Sequence, residues 1–454
     1  MNPKERAQMM GTEKVPTILK KLALPAIIGM MVTAIYNIVD TLFVSFLGTE
    51  AVGAVSIVYP LFLLLLAVGL MFGIGSASFI SRLLGENKKN QAEEVATTTI
   101  TVSVITGIVL SFILFIFMKE VLTIFGATPT IMPYALNYGR MLSVGAVFTI
   151  SNMAMNNILR SEGSAKYSMI ALITGALINI ALDPFFIFTL NMGIEGAALA
   201  TVIAQASSTL LLFSFFLRKK SVLHLHFSFL KPSFLMFKEV SKIGLPTFAR
   251  QILLSLSMAL LNTAAKPYGD EAIAALGVSA RVFSLATMVI FGFSQAFQPV
   301  AGYNYGALKI QRLKEALKTS LRWTTIVTSL STVIYFAFTP QIIGLFTDDP
   351  KVMAIGIQAM RYMVIFFPLF GFQVIYGTLF QALGKGAQAG ILSLSRQGIF
   401  FIPAILVFPK IFDLQGIFLA QPFADFSTII LTVFFAKKIH KELNLLEKQH
   451  DSMV

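Results

Sequence analysis

Residues 49–55 read TEAVGAV and, 221 positions later, residues 270–276 read DEAIAAL. The same shift lays KLALP at 21–25 over KIGLP at 242–246. It also pairs Pro25 with Pro246, Gly48 with Gly269, Glu50 with Glu271, Gly85 with Gly306, Glu94 with Glu315, Phe125 with Phe346, Pro129 with Pro350, Arg140 with Arg361 and Gly163 with Gly384. Apolar runs match by chance, but polar, Gly and Pro positions at one fixed offset mark a duplication. The first copy carries apolar runs of helix-spanning length at 22–47, 52–80, 93–118, 131–157, 168–190 and 194–217. The second carries them at 243–265, 272–302, 319–338, 352–379, 389–409 and 414–436. Six crossings per copy insert both in the same orientation. The reading is an all-α integral membrane protein of twelve helices, in two six-helix bundles related by a pseudo-two-fold along the membrane normal. It divides into an N-terminal bundle (1–217), a linker (218–242), a C-terminal bundle (243–436) and a tail (437–454).

Composition excludes a soluble enzyme. Of 454 residues, 35 are Lys or Arg and 22 Asp or Glu, 56% are apolar, and the mean hydropathy is +0.78. The net charge of +13 sits in short clusters between apolar runs, which fits lipid headgroups and not nucleic acid. Loops on the side of the termini carry 27 basic residues, Lys231, Lys385 and Arg396 among them, against Lys119, Lys266, Lys351 and Lys410 on the other side. The positive-inside rule makes that side, with both termini, cytoplasmic, in a multi-pass protein of the cell membrane. The first run is too long for a cleavable signal and is read as retained. There is no Cys, and the four His (His224, His226, His440 and His450) fall in the linker or near the tail. The Gly-rich GLMFGIGSAS (69–78) lacks the Lys of a phosphate loop, so no nucleotide or other cofactor is expected.

Charges inside spans are costly and carry functional hypotheses. They are Asp40, Arg140, Asp183, Arg250, Arg281, Arg361 and Asp425. Asp40 lies about 27 Å and Asp183 about 23 Å above the cytoplasmic side at 1.5 Å per residue, so two helices present carboxylates at similar depth. Tyr36 and Asn179 lie one turn below them, and Thr201 offers a hydroxyl. Such a cluster suits a proton or Na⁺ and does not choose between them. At the repeat offset Asp40 falls on Leu261 and Asp183 on Ala404, so the shared fold requires neither acid. Asp425, near mid-membrane, either binds cations or neutralises an intramembrane Arg. Arg140 and Arg361 are repeat mates, which favours a structural role. Asn152, Asn156 and Asn157 form an amide face that either orients a ligand or joins helices. The 20 Met and 42 Phe include residues suited to an adaptable apolar pocket.

Several stretches together resemble the multidrug and toxic compound extrusion (MATE) transporters, within them a bacterial branch that includes a staphylococcal pump. They are LPAIIGMMVTAIYNIVDTLFVSFLG, GIGSASFISRLLGENK, NNILRSEGSAKYSM, NIALDPFFIF, GIEGAALATVIAQ and FQALGKG. The resemblance implies a V of two bundles, and efflux of organic cations driven by inward H⁺ or Na⁺ by a functional monomer. It implies a cation site of Asp40 and Asp183 supported by Tyr36, Asn179 and Thr201, with Asn152 and Asn156 lining the substrate cavity. Tyr36 and Asp425 complete the substrate-binding candidates. Members that bind Na⁺ in the second bundle carry acids in the seventh and tenth helices, and those spans here have none. A flippase for lipid-linked oligosaccharides, of related architecture, is the alternative, kept open by Arg250 and Arg281. An intramembrane enzyme is disfavoured, since no nucleophile and base are paired.

Overall fold

The computed structural model describes residues 3–226, 228, 230 and 233–451; Lys231 and the side chains of Lys4 and His450 lie outside the described residues. The spans of the first half are α2 (Val15–Ser45), α3 (Thr49–Gly85), α4 (Lys89–Ile116), the pair α6 (Met132–Val144) and α7 (Ala146–Ser161), α8 (Ala165–Pro184) and α9 (Gly193–Leu217). Those of the second are α10 (Phe234–Ala265), α11 (Asp270–Gly306), α12 (Ile310–Gly344), the pair α13 (Pro350–Val364) and α14 (Phe370–Ala382), α15 (Gly386–Leu394) continuing into α16 (Ile402–Val407), and α17 (Pro409–Asp451). Among the described residues ten helices are long and apolar enough to cross a membrane, and each bent pair taken as one span brings the number to twelve.

The duplication is visible in three dimensions. Both α3 and α11 have 37 residues, and both of their ends differ by 221 positions. Each starts after a glycine at positive φ, Gly48 at 100° and Gly269 at 92°, where a side chain would be strained. The bent pairs turn by 47° at Gly145 and by 41° around 365–369, again one repeat apart. Arg140 lies over the Phe115 ring at 5.8 Å and Arg361 over Phe336 at 5.3 Å. Phe115 and Phe336 are themselves 221 positions apart, so the two arginines repeat one packing device.

The halves press together at the end that carries the termini and the linker, the basic end. A Cβ on Gly85 would lie 2.1 Å from the Tyr303 carbonyl oxygen, and one on Gly306 would lie 2.2 Å from that of Arg82. The offset exchanges Gly85 with Gly306 and Arg82 with Tyr303, so one contact is made twice across the pseudo-two-fold, as in an isologous interface. The Ser78 hydroxyl donates to the Gln381 carbonyl, and Arg82 pairs with Glu239 at 3.3 Å, both from one half to the other. Further contacts between the halves are Gly292 against Ile27 and Gln295 Nε2 against Met30 Sδ, at 3.4 Å. This conformation is therefore closed at the basic end.

Two features there were not read from the sequence. A short helix, α1 (Pro3–Thr12), packs beneath both halves, with Met10 wholly buried. Arg6 donates to Ser164 Oγ and the Lys220 carbonyl in the first half, while Asn304 and Lys309 of the second donate to the carbonyls of Met10 and Gly11. The other is Glu162, fully buried in the α7–α8 turn. It accepts from Ser221 Oγ at 2.6 Å and from the backbone N–H of Val222 and Leu223 at 2.9 and 3.0 Å, which ties the linker to the first bundle. Burial raises its pKa above the usual carboxylate value, against the opposing pull of these donors.

Candidate functional site

The two acids of the first half come from α2 and from the last turn of α8, just before Pro184, where the helix widens into a π segment over Phe185–Thr189. Their carboxyl groups lie near one another. Asp183 is 0% exposed and Asn179 1%. Asn179 Nδ2 lies 3.3 Å from Asp183 Oδ1 and 3.4 Å from Thr201 Oγ1, so one amide joins α8 to α9 at the site. Tyr36 lies close enough to both acids to feel their charge. All five residues expected at a cation site are thus gathered at one place.

Three buried oxygens there have no hydrogen-bond partner: Asp40 Oδ1, Asp183 Oδ2 and Asn179 Oδ1. Unpaired acceptors converging in low dielectric call for a proton or a hard cation, and oxygen donors alone suit Na⁺. Tyr138 of α6, 6% exposed, lies in the neighbourhood of the two acids. Sequence reading passed over it because a neutral Tyr near the end of a span resembles an interfacial anchor; its place two residues before Arg140 was the available signal.

The amides of α7 are spent inside the bundle. Asn152 Nδ2 donates to Ser208 Oγ at 2.8 Å and lies 3.3 Å from Thr209 Oγ1, both on α9. Asn156 Nδ2 donates to Asn152 Oδ1 at 2.7 Å, and Ser168 of α8 donates to Asn156 Oδ1 at 2.7 Å. Both asparagines are 1% exposed, and in this conformation they act as a polar ladder joining α7, α8 and α9.

In the second half, Asp425 of α17 is paired with Arg396, whose Nε lies 2.6 Å from Asp425 Oδ1. Gln421 adds a donor at 3.1 Å, and Gln373 Nε2 donates to the Asp425 carbonyl at 2.8 Å. This corrects the count of loop charges. Arg396 was assigned to the basic loops, but it lies within the span Gly386–Val407, on a π segment over Ser395–Phe401 that carries the side chain towards α17. Of the two roles open to Asp425, this conformation realises neutralisation of an Arg. Arg250 packs over the Phe291 ring at 5.6 Å, and Arg281 is exposed.

Comparison with known proteins follows the same division of the chain. The MatE family model matches residues 25–185 and again 246–406, two stretches offset by 221 positions. The chain is 28% identical to the multidrug export protein MepA of Staphylococcus haemolyticus over 424 residues, 93% of either chain. It is also 28% identical to MepA of Staphylococcus aureus strain MSSA476, over 90% of this chain and 91% of that one. A structure described as the outward-facing conformation of a multidrug resistance MATE family transporter superposes with a TM-score of 0.91 at 26% identity, covering 99% of both chains. With its apolar repeat matched twice by the same model and its whole length matched by a transporter of the same fold, this chain belongs to the MatE family of membrane transporters.

Proposed function

We propose that the protein exports amphipathic organic cations from the cytoplasm as a monomer, exchanging them for H⁺ or Na⁺ that enter through the first half. The observation that carries this reading is the pair of neighbouring carboxyls, Asp40 and Asp183, present in one half of a duplicated chain. Two neighbouring carboxylates in low dielectric draw a positive charge between them. A cationic substrate, a proton and Na⁺ are then competitors for the same negative charge, which is the requirement for exchange. Were the ion Na⁺, Asp40, Asp183, Asn179 and Thr201 would hold it through oxygen. Tyr36 and Tyr138 lie in the neighbourhood of the pair, and the amide ladder of Asn152 and Asn156 holds the helices that carry it. The density of Lys and Arg at the closed end supports a cytoplasmic assignment for that end, so this conformation would open outwards. The names of the MepA relatives support a drug cargo; a lipid-linked oligosaccharide is the alternative.

The test is ethidium transport by the full chain in proteoliposomes under imposed pH and Na⁺ gradients, applied separately. Wild type should respond to at least one gradient. Asp40→Asn with Asp183→Asn should lower the gradient-driven rate at least tenfold while the melting temperature in detergent stays within a few degrees. Transport by the double variant at the wild-type rate would sink the proposal.

A further inference from the structure

The second half holds a charge arrangement that cation export does not use. Arg250 of α10 is partly buried, its Nε has no access to solvent, and it makes no hydrogen bond or ion pair among the described residues. Its guanidinium lies 5.6 Å from the centre of the Phe291 ring, and that of Arg396 lies 4.7 Å from Phe370. The two rings touch edge to face with centroids 6.0 Å apart, so the fold brings two guanidiniums onto one aromatic floor. A single carboxylate, Asp425, accompanies them, and it is engaged by Arg396 Nε and by Gln421. Two cations against one anion leave a charge of +1 inside the span, with the fork of Arg250 unspent.

A structural role is the competing explanation, and the repeat decides against it. Where an Arg serves packing, as Arg140 and Arg361 do, both the Arg and its ring recur at the offset of 221. Arg250 and Arg396 instead fall on Gly29 and Gly175, so the shared fold is built without either. Arg396 has its anion in Asp425, whereas Arg250 has none among the described residues; like the acid pair of the first half it occurs in one copy alone, and that points to a ligand.

We propose that Arg250, on the floor of Phe291 and Phe370, binds the carboxylate of an aromatic anionic or zwitterionic compound, with Arg396 held beside it by Asp425. A planar carboxylate matches the guanidinium fork with two parallel hydrogen bonds, and the aromatic body of the ligand continues the stack. That such a compound is cargo rests on the exporter reading; that it binds does not.

The experiment uses the purified full-length protein and three fluorescent probes: 1-pyrenebutyrate, its methyl ester and ethidium. Wild type should bind pyrenebutyrate at least tenfold more tightly than the ester. Arg250→Gln should remove that preference, leaving ester and ethidium affinities within twofold, and Arg250→Lys should restore part of it. Equal affinity of wild type for acid and ester, or equal weakening of all three probes by Arg250→Gln, overturns the proposal. So does displacement of pyrenebutyrate by inorganic pyrophosphate at a lower concentration than by benzoate, which would make the site one for phosphate. Ethidium export measured in parallel tests the exporter reading alone, so the two failures are distinguishable.

Discussion

At the scale of single residues, what matters is which buried charges have partners. Asp425 is 3% exposed and Arg396 is its counter-ion. Arg396→Gln would leave a carboxylate buried without a charge partner, which costs about 3–5 kcal/mol. It should lower the melting temperature of the detergent-purified protein markedly, whereas Arg396→Leu with Asp425→Leu should be near neutral in the same assay. Equal melting temperatures for wild type and Arg396→Gln would show the pair to be energetically idle. The sequence made Asp40, Asp183 and Asp425 legible as candidates because an acid in an apolar run is conspicuous. The partner of Asp425 was missed: Arg396 lies inside the run 389–409 yet was counted with the basic loops, and no local pattern shows which helix its side chain faces. Tyr138 was missed for the opposite reason, having no charge to draw notice.

At the scale of elements, the linker is fastened rather than free. Its hold is Glu162, which accepts from three donors of 221–223 with both oxygens engaged, Ser164 supplying the fourth. Because burial raises the Glu162 pKa, the folded state keeps its proton to higher pH than the unfolded chain. This group's contribution to stability is thus fully present below the unfolded value of about 4.3 and is lost as pH rises through the folded one. Glu162→Gln does not titrate, so the stability advantage of wild type over the variant should shrink as pH rises above about 4, as read by thermal unfolding. An advantage that is constant, or that grows with pH, contradicts the assignment. The helix α1 belongs to this scale too. Its ten residues are too few and too polar to announce themselves by periodicity, and their order depends on carbonyls met by Asn304 and Lys309 some 300 positions away in sequence.

For the whole molecule, the proposed export requires the repeated contact of α3 with α11 to open. A Cβ on Gly302 would lie 3.0 Å from that of Ser81, its own repeat mate, so the two helices need part only slightly to reach the Cβ separation of about 3.8 Å in a disulfide. The chain has no cysteine, so Ser81→Cys with Gly302→Cys gives a single cross-link without background. Oxidation should trap the closed basic end and stop ethidium transport at least tenfold, and a reductant should restore it. Full-rate transport by the oxidised variant would mean that this interface stays shut throughout the cycle.

The sequence alone determined the membrane, the twelve spans and the duplication, because hydropathy and the offset of Gly, Pro and polar positions are local properties that survive without coordinates. It also named the acids, since a charge in lipid is costly wherever its helix lies. Only tertiary structure decided which charges meet. Helix rotation, the π segment at Ser395–Phe401 and the bends at Gly145 and at 365–369 set the direction of each side chain. Arg396, on that π segment, meets Asp425, whereas Arg250 of α10 meets no anion among the described residues.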